Sequence, residues 1–596
     1  MVPGLIDIHM HIESSMTLPS RFSQAVLPHG VTTVVADPHE IANVFGIEGI
    51  QSFLSNATAL DIFYGIPSSV PSTSPHLETT GGLIGVDEVK ELLNHQNILC
   101  LGEVMNFQDL CKKESSTIKD IIKLCQEFRP SLPIEGHCPK ISGKDLADFI
   151  AAGVTADHTG GLIGVDEVKE LLNHQNILCL GEVMNFQDLC KKESSTIKDI
   201  IKLCQEFRPS LPIEGHCPKI SGKDLADFIA AGVTADHTQQ TPESIIEKIK
   251  SGMFLEIQKK SMTKQTIQTL MDYHFYDYFA FVTDDVMADK LPKGHLNEII
   301  KYAVKLGMPV EKAIYCSTYT PARRMHLEDR GMIAPGRLAD FILLTDVDNF
   351  KIHSVYKGGC CVANDRESHQ ENHNQIFPDH FYHSIKCKKA EPEDFDIKIS
   401  GNKVLCNIIQ TQPHSTFTKH IQKQVPVKNG ILDYESQNLC LLTVYERYGK
   451  NGNIAHALLD TPIKKRGAIA TSWAHDHHNV MVMGNDKEDM MLAQQMICEM
   501  QGGYVVVKEG QVLAKAYLEI GGIVSAQPIE VLAQQLRDVR SAMQELGYVH
   551  DNEIMSFSTL SLPVSPQLKV TDMGMINTLT QEIVPLIAEV YHEDVN

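Results

Sequence analysis

The sequence predicts an α/β protein whose first half is a TIM-like (β/α)8 barrel, and three observations carry that expectation. Apolar strand-like runs alternate with helix-period segments from Gly4 to Ala322, and such alternation builds a parallel sheet with helices packed on its faces. With one copy of an internal repeat set aside, that stretch comes close to the ~250 residues typical of an eight-stranded barrel. Metal-ligating residue types recur where the predicted strands end, the end at which barrel enzymes gather their working groups.

The first strand is Leu5-Ile6-Asp7-Ile8-His9-Met10-His11. Side chains alternate along a strand, so His9 and His11 point to one side and form a ligand pair. Gly30 to Ala36 and Asp61 to Gly65 read as the next strands, and later ones end in Glu103, His137, His158 and Asp284. A lone strand-end histidine is usually structural, but H-x-H followed in order by Glu, His, His and Asp at barrel intervals points to a shared purpose. Imidazole nitrogen and carboxylate oxygen suit divalent first-row metals. Two such ions about 3.5–4 Å apart share a bridging ligand and a bridging water, and bring the pKa of that water toward ~7. Asp284 is expected to ligate one ion and to take the proton released on attack. Metal-activated hydrolysis is therefore the expected chemistry, with Asp284 as the catalytic candidate. Other reactive signatures do not compete: the chain holds no H-E-x-x-H, no G-x-S-x-G and no phosphate-binding G-x-x-x-x-G-K-[ST]. His11-Ile-Glu13 opens a zinc-deaminase H-x-E, but no P-C-x-x-C follows it.

Residues 81–159 recur without a single change as residues 160–238, an offset of 79. Solenoid repeats resemble one another rather than copy one another, so this is read as a tandem duplication and not an architectural repeat. The second copy repeats the ligand candidates as Glu182, His216 and His237. Both copies together would supply eleven strands, so one copy is surplus and is expected to be extruded. Either ligand set, or a mixture of them, is open at this stage.

Composition narrows the partners. A net charge of -22, from 75 acidic and 53 basic residues, disfavours nucleic acid and anionic membrane as partners and suits a small molecule. Fifteen cysteines with no C-x-x-C spacing, and no signal-peptide pattern at the start, predict reduced thiols and a cytoplasmic protein. No run reaches the roughly 18 apolar residues of a membrane helix. A homo-oligomer is expected.

The chain divides into a barrel over 1–325, a partial small β domain over 326–364, a linker over 365–400 and a separate C-terminal α/β domain over 401–596. In the β segment, Arg330 to Leu344 reads as a turn and an apolar strand, and Val355 to Val362 as a further strand. The linker holds His369, His373, His380 and His383 among many charges and reads as solvated. The last domain is predicted from helices over Lys487 to Met500 and Pro528 to Glu545, alternating with strands such as Gly503 to Lys508.

Several motifs carry a resemblance: Pro3-Gly-Leu-Ile-Asp-Ile-His-Met-His-Ile-Glu-Ser-Ser15, Asp37-Pro-His-Glu-Ile-Ala-Asn43, Pro67 to Pro71, Leu101 to Phe107, Thr283-Asp-Asp285 with Gly294-His295, Arg466 to Ala470, His475-Asp-His-His-Asn479, and Leu562 to Val564 with Lys569-Val-Thr-Asp572. The chain resembles the amidohydrolase superfamily and, within it, the adenine deaminases, over nearly its whole length. The resemblance implies removal of the 6-amino group of adenine, giving hypoxanthine and ammonia in purine salvage, with two divalent ions, Mn2+ or Fe2+. It implies that His9 and His11 hold one ion and that Glu103 or Glu182 bridges both. His137 and His158, or His216 and His237, would hold the second, with Asp284 as ligand and proton shuttle. The bridging Glu is a candidate for protonating the ring.

Two departures bear on substrate. Asp236-His237-Thr238 stands where the family reads Asp-His-Glu, and Gln258-Lys-Lys-Ser261 where it reads Arg-Glu-Gly-Ser. These departures raise another aminopurine or a cyclic amide as alternatives, and the surplus copy with the short start raises an inactive metal-binding remnant. The family also carries a β-rich segment before the first strand, so the β segment at 330–362 is expected to lack sheet partners and to expose an apolar edge.

Overall fold

The computed structural model describes most of residues 1–94 and 240–591 and, between them, residues 98–101, 121, 124, 125, 135, 136, 155, 156, 235 and 236. Strands Leu5–Met10, Val31–Ala36, Asp61–Ile66 and Ile98–Leu101 lie side by side in chain order, all parallel. A second parallel sheet joins Ala235–Asp236, Phe254–Ile257 and Phe279–Phe281, and Glu135–Gly136 pairs in parallel with Thr155–Ala156. Leu5, Val31, Val34, Leu255 and Phe279 are fully buried, as expected of parallel strands covered on both faces.

The connecting helices follow local signals. Thr241 and Thr263 each accept a hydrogen bond from a backbone N–H in the first turn of Pro242–Lys250 and Lys264–Asp272, and Pro242 sits where a helix needs no N–H. Leu296–Lys305 buries Leu296, Ile299, Ile300 and Ala303, a 3–4 residue spacing that lays one face on the core. These parallel arcs with helices between them are the predicted α/β core; the predicted eight-strand closure lies outside the described residues. The two copies of the repeat both contribute. Ile98–Leu101 of the first copy pairs with Asp61–Ile66, and Ala235–Asp236 of the second pairs with Phe254–Ile257.

The small β sheet corrects two expectations. Its order is Val2–Pro3, Phe341–Asp346, Lys351–Lys357, Cys360–Asn364 and Glu367–Ser368. The strand expected over Val355 to Val362 is instead a hairpin, broken where Gly358 and Gly359 take φ of 54° and 82°; two successive positive φ values reverse a chain, and glycine adopts them without a Cβ clash. Nor is Phe341–Asp346 left as an edge: Val2 stands opposite Ile342 and Pro3 opposite Phe341.

From Phe377 onward, the segment read as a solvated linker is packed. Phe377, Phe381 and Phe395 are buried, and Phe381 stacks on Phe45 with ring centroids 3.8 Å apart. The aromatic residues, spaced too widely to show a period, outweigh the charges around them once a barrel helix covers them. His369 and His373 lie outside the described residues. His380 is exposed, 3.1 Å from Glu48.

The C-terminal domain is built on a ten-stranded sheet. Helix Lys487–Met500 and strand Gly503–Lys508 match the predicted spans, and the second helix is Ile529–Glu545. The sheet, however, is antiparallel except where Lys403–Gln412 meets Ile454–Asp460 in parallel. Short connections such as the Glu509-Gly510 turn join antiparallel neighbours directly, without a crossover helix. The domain is not separate either. One continuous apolar core takes in Phe22 and Ile41 of the first half with Trp473, Ile520 and Leu536 of the second, and Thr17 forms a β-bridge with Ser525. Among the described residues no helix is long and apolar enough to cross a membrane.

Candidate active site

The strand Leu5–Met10 carries His9 within it and delivers His11 just beyond its end, where the chain enters the short helix Ile12–Ser15. The neighbouring strand Val31–Ala36 ends in the same direction and leads through Pro38 into helix His39–Phe45. Parallel pairing thus brings the first turn of this helix beside His11. The His11 and His39 rings meet edge to face, with centroids 5.0 Å apart.

Over these residues the C-terminal domain lays the loop His475 to Asn479. Glu40 Oε1 lies 2.8 Å from His475 Nδ1, and Glu40 Oε2 lies 3.0 Å from His478 Nε2. Asp476 Oδ1 faces His39 Nε2 at 3.8 Å and His475 Nδ1 at 3.3 Å. All five residues are buried. Buried charges persist only when paired, and the pairing sets their protonation. Burial favours a neutral Glu40, yet the His475 and His478 imidazoles outweigh it and hold the carboxyl far below its usual range. Burial likewise opposes charge on His475, but Glu40 and Asp476 raise its pKa to about 10. Asp476 is held well down, against burial, by hydrogen bonds from His39 and His475. His477 is pushed to about 3 by burial and by His478 beside it, so it stays neutral, its Nδ1 accepting the Asn479 N–H at 3.0 Å. Glu13, which accepts the Ile41 N–H at 3.3 Å, is raised to about 8 by burial and by the Glu40 charge. It remains protonated at neutral pH.

The loop is anchored on both sides. Asn479 Nδ2 donates to Thr79 O and Asp572 Oδ1, and Asp572 accepts the Thr79 N–H at 2.9 Å and its hydroxyl at 2.6 Å. Ser561 donates to His475 O, and Tyr448 to His477 O. Through these contacts the motifs at 475–479 and 569–572 hold the second domain over the ends of the first two barrel strands. On the barrel side, the buried His295 lies 3.3 Å from Asp7, two residues before His9 on the same strand, and burial keeps this imidazole neutral despite the Asp7 charge.

Donor atoms of His39, Glu40 and Asp476 all fall within 4.8 Å of one another, and imidazole with carboxylate is the donor chemistry of a divalent ion. Both Glu40 oxygens already face imidazoles, so the cluster reads best as a charge-balanced wall beside His11. Of the predicted ligands, His9 is located by its backbone and His11 by its ring. Glu103, His137, His158, Glu182, His216, His237 and Asp284 lie outside the described residues. Sequence reasoning assigned no role to His39, Glu40 or the 475–479 loop. The signal that could have found them is the concentration of ionisable residues in Asp37-Pro-His-Glu40 and His475-Asp-His-His478, within otherwise apolar surroundings.

A parallel α/β core, an H-x-H at the end of its first strand and a wall of buried His, Glu and Asp beside it are the marks of a metal-dependent hydrolase. Residues 1–362 match the amidohydrolase family and residues 415–582 match the adenine deaminase C-terminal domain. An adenine deaminase of Clostridium perfringens is 48% identical over 595 residues, covering 98% of this chain and 90% of that one. Adenine deaminase 2 of Oenococcus oeni is 45% identical over 589 residues, covering 98% and 89%. An adenine deaminase of Staphylothermus marinus is 30% identical over 601 residues, covering 98% and 86%. The chain belongs to the amidohydrolase family and, within it, to the adenine deaminases.

Proposed function

We propose that this chain hydrolyses adenine to hypoxanthine and ammonia, using two divalent ions, Mn2+ or Fe2+. The observation that carries the reading is the buried His39–Glu40–His475–Asp476 wall set against His11, in a chain alike end to end to adenine deaminases. His9 and His11 would hold one ion, a strand-end Glu would bridge the two, two strand-end His would hold the second, and Asp284 would complete the set. When bound, the ions supply a water acidified to a pKa of ~7. Asp284 would take the proton released as that water's oxygen bonds to C6 of the purine, and would pass it to the departing amine. The bridging Glu would protonate the ring nitrogen next to C6. The C-terminal loop would exclude bulk water, which strengthens each of these charge interactions.

Strand pairing supports a mixed use of the two copies. Glu103 follows the strand that joins Asp61–Ile66, and His237 follows the strand that joins Phe254–Ile257. On this reading Glu103 and His237 serve, with His137 or His216 between them, while Glu182 and His158 are surplus. A small purine is the partner, in the cytoplasm, in a homo-oligomer.

Ultraviolet-monitored conversion of adenine by the Mn2+-loaded protein tests the activity, run beside Glu103→Gln and Glu182→Gln. Turnover that survives Glu182→Gln and is lost in Glu103→Gln is expected; the reverse would overturn the assignment of copies. No turnover of adenine, with turnover of another aminopurine, would move the substrate and implicate Thr238 and the segment 258–261. There Ser261 is buried and accepts the Gln240 N–H at 3.1 Å.

A further inference from the structure

Between the barrel and the C-terminal sheet, the chain passes along helix Lys487–Met500 as an extended strap. Gln501 receives the Ile385 N–H and donates to Ile385 O; Gln494 receives the Ala390 N–H and donates to Lys388 O. Lys389 pairs with Glu499 at 2.8 Å, and the Lys386 N–H donates to Arg447 O. The strap begins where Phe381 stacks on Phe45 of the barrel, so it ties one domain to the other. At its middle the half-buried Cys387 puts its Sγ 3.6 Å from Sγ of Cys498 on the helix, both as free thiols.

We propose that Cys387 and Cys498 form a redox site that a hydroperoxide converts to a disulfide, stapling the strap to the helix. Two facing thiols already in contact need little backbone movement to bond. The thiolate is the reactive form, and Cys498 is favoured to carry it in the arrangement where the Cys387 S–H is the donor of their contact, with the Lys389 ammonium near. Cys387, as donor beside a negative sulfur, is pushed the other way. Cys498 thiolate attacks the terminal peroxide oxygen; the O–O bond breaks, and the departing alkoxide or hydroxide takes a proton to leave as alcohol or water. Cys387 sulfur then attacks the Cys498 sulfenic sulfur, the S–S bond forms, and hydroxide leaves with the Cys387 proton as water. Two thiols are oxidised and one peroxide is reduced.

Of the other buried thiols, Cys316 donates instead to Tyr276 O at 3.4 Å. The bridge would close a loop between positions 111 apart, and closing a loop restricts the unfolded chain.

The test is peroxide titration of the full-length, metal-loaded protein, followed by non-reducing peptide mapping. A crosslinked peptide joining Cys387 to Cys498 is expected, reversed by dithiothreitol, with a raised melting temperature in the oxidised form. Cys387→Ser, at a half-buried position, should fold normally, lose the crosslink and accumulate a sulfenic acid at Cys498 that dimedone traps. Full alkylation of both thiols after peroxide would overturn the proposal, as would dimedone labelling of the wild type equal to that of Cys387→Ser.

Discussion

Glu40 and His475 meet at 2.8 Å across the boundary between the barrel and the C-terminal domain, one at the start of a barrel helix, the other in a loop of the second half. Both are buried, so the pair is at once a fastening between domains and a fixed charge beside His11. Glu40→Gln removes the charge and leaves the His475 imidazolium with Asp476 as its one remaining carboxylate partner at that nitrogen. Breaking one side of a buried pair costs ~3–5 kcal/mol. Urea unfolding should show that loss, with reduced turnover; an unchanged midpoint would mean that the pair does not hold the domains.

His475 also reports its own protonation. Trp473 is the one tryptophan of the chain, and its ring lies 4.3 Å from that of His475. An imidazolium so close quenches indole emission. Fluorescence should therefore rise as pH passes through about 10, where His475 loses its proton, and the step should be missing in His475→Gln. Stability follows the same group. Because its pKa is raised on folding, its contribution is complete below ~6.5, the unfolded value, and is lost as pH climbs through about 10. Glu40 acts at the other end: its contribution is present above ~4.3 and is lost only as pH falls toward its depressed folded value.

A second fastening crosses the domain boundary between Arg540 and Asp289. Arg540 reaches Asp289 at 3.2 Å and Glu553 at 3.1 Å, and Asp289 is 2% exposed. Arg540→Met keeps the stem and removes the charge. A loss of about 3 kcal/mol in urea unfolding is expected, with metal content unchanged.

Gly81 and Gly82 open the first copy of the repeat, and both donate their N–H to Asn43 O. A Cβ on Gly82 would stand 2.0 Å from Gly46 N and 2.4 Å from Ala42 O, backbone atoms that cannot step aside. Gly82→Ala should cost about 3 kcal/mol by overpacking. Gly161→Ala, the same change in the second copy, should cost less; equal losses would mean that both copies make this contact.

Metal removal gives a direct measure of the proposed centre. Chelator-treated protein should lose turnover and recover it with about two equivalents of Mn2+ per chain. Recovery complete at one equivalent would remove the bridged pair from the mechanism.

Much of the first half is legible in order along the chain. Local alternation of apolar runs, Thr caps and the H-x-H pattern depends on residues near in sequence, and the strands Leu5–Met10, Val31–Ala36 and Asp61–Ile66 fall where that pattern puts them. The same holds for helix Lys487–Met500 and strand Gly503–Lys508. The hairpin at Gly358-Gly359 was written in the sequence too, as paired glycines, but the apolar residues around them read as one continuous strand.

Local periodicity and motifs carry the α/β core, the ligand-rich strand ends and the kinship with metal-dependent deaminases, and no long-range contact is needed to read them. Packing between distant segments settled the rest. It gave the second domain a core shared with the first, covered Phe377 and Phe381 where solvation was expected, and set His475 and His478 against Glu40. Each of these is a burial outcome. Whether an ionisable group is a solvated surface charge or half of a buried pair depends on what the rest of the chain lays over it; the ionisable residues around Glu40 mark a cluster, but not which distant segment covers it.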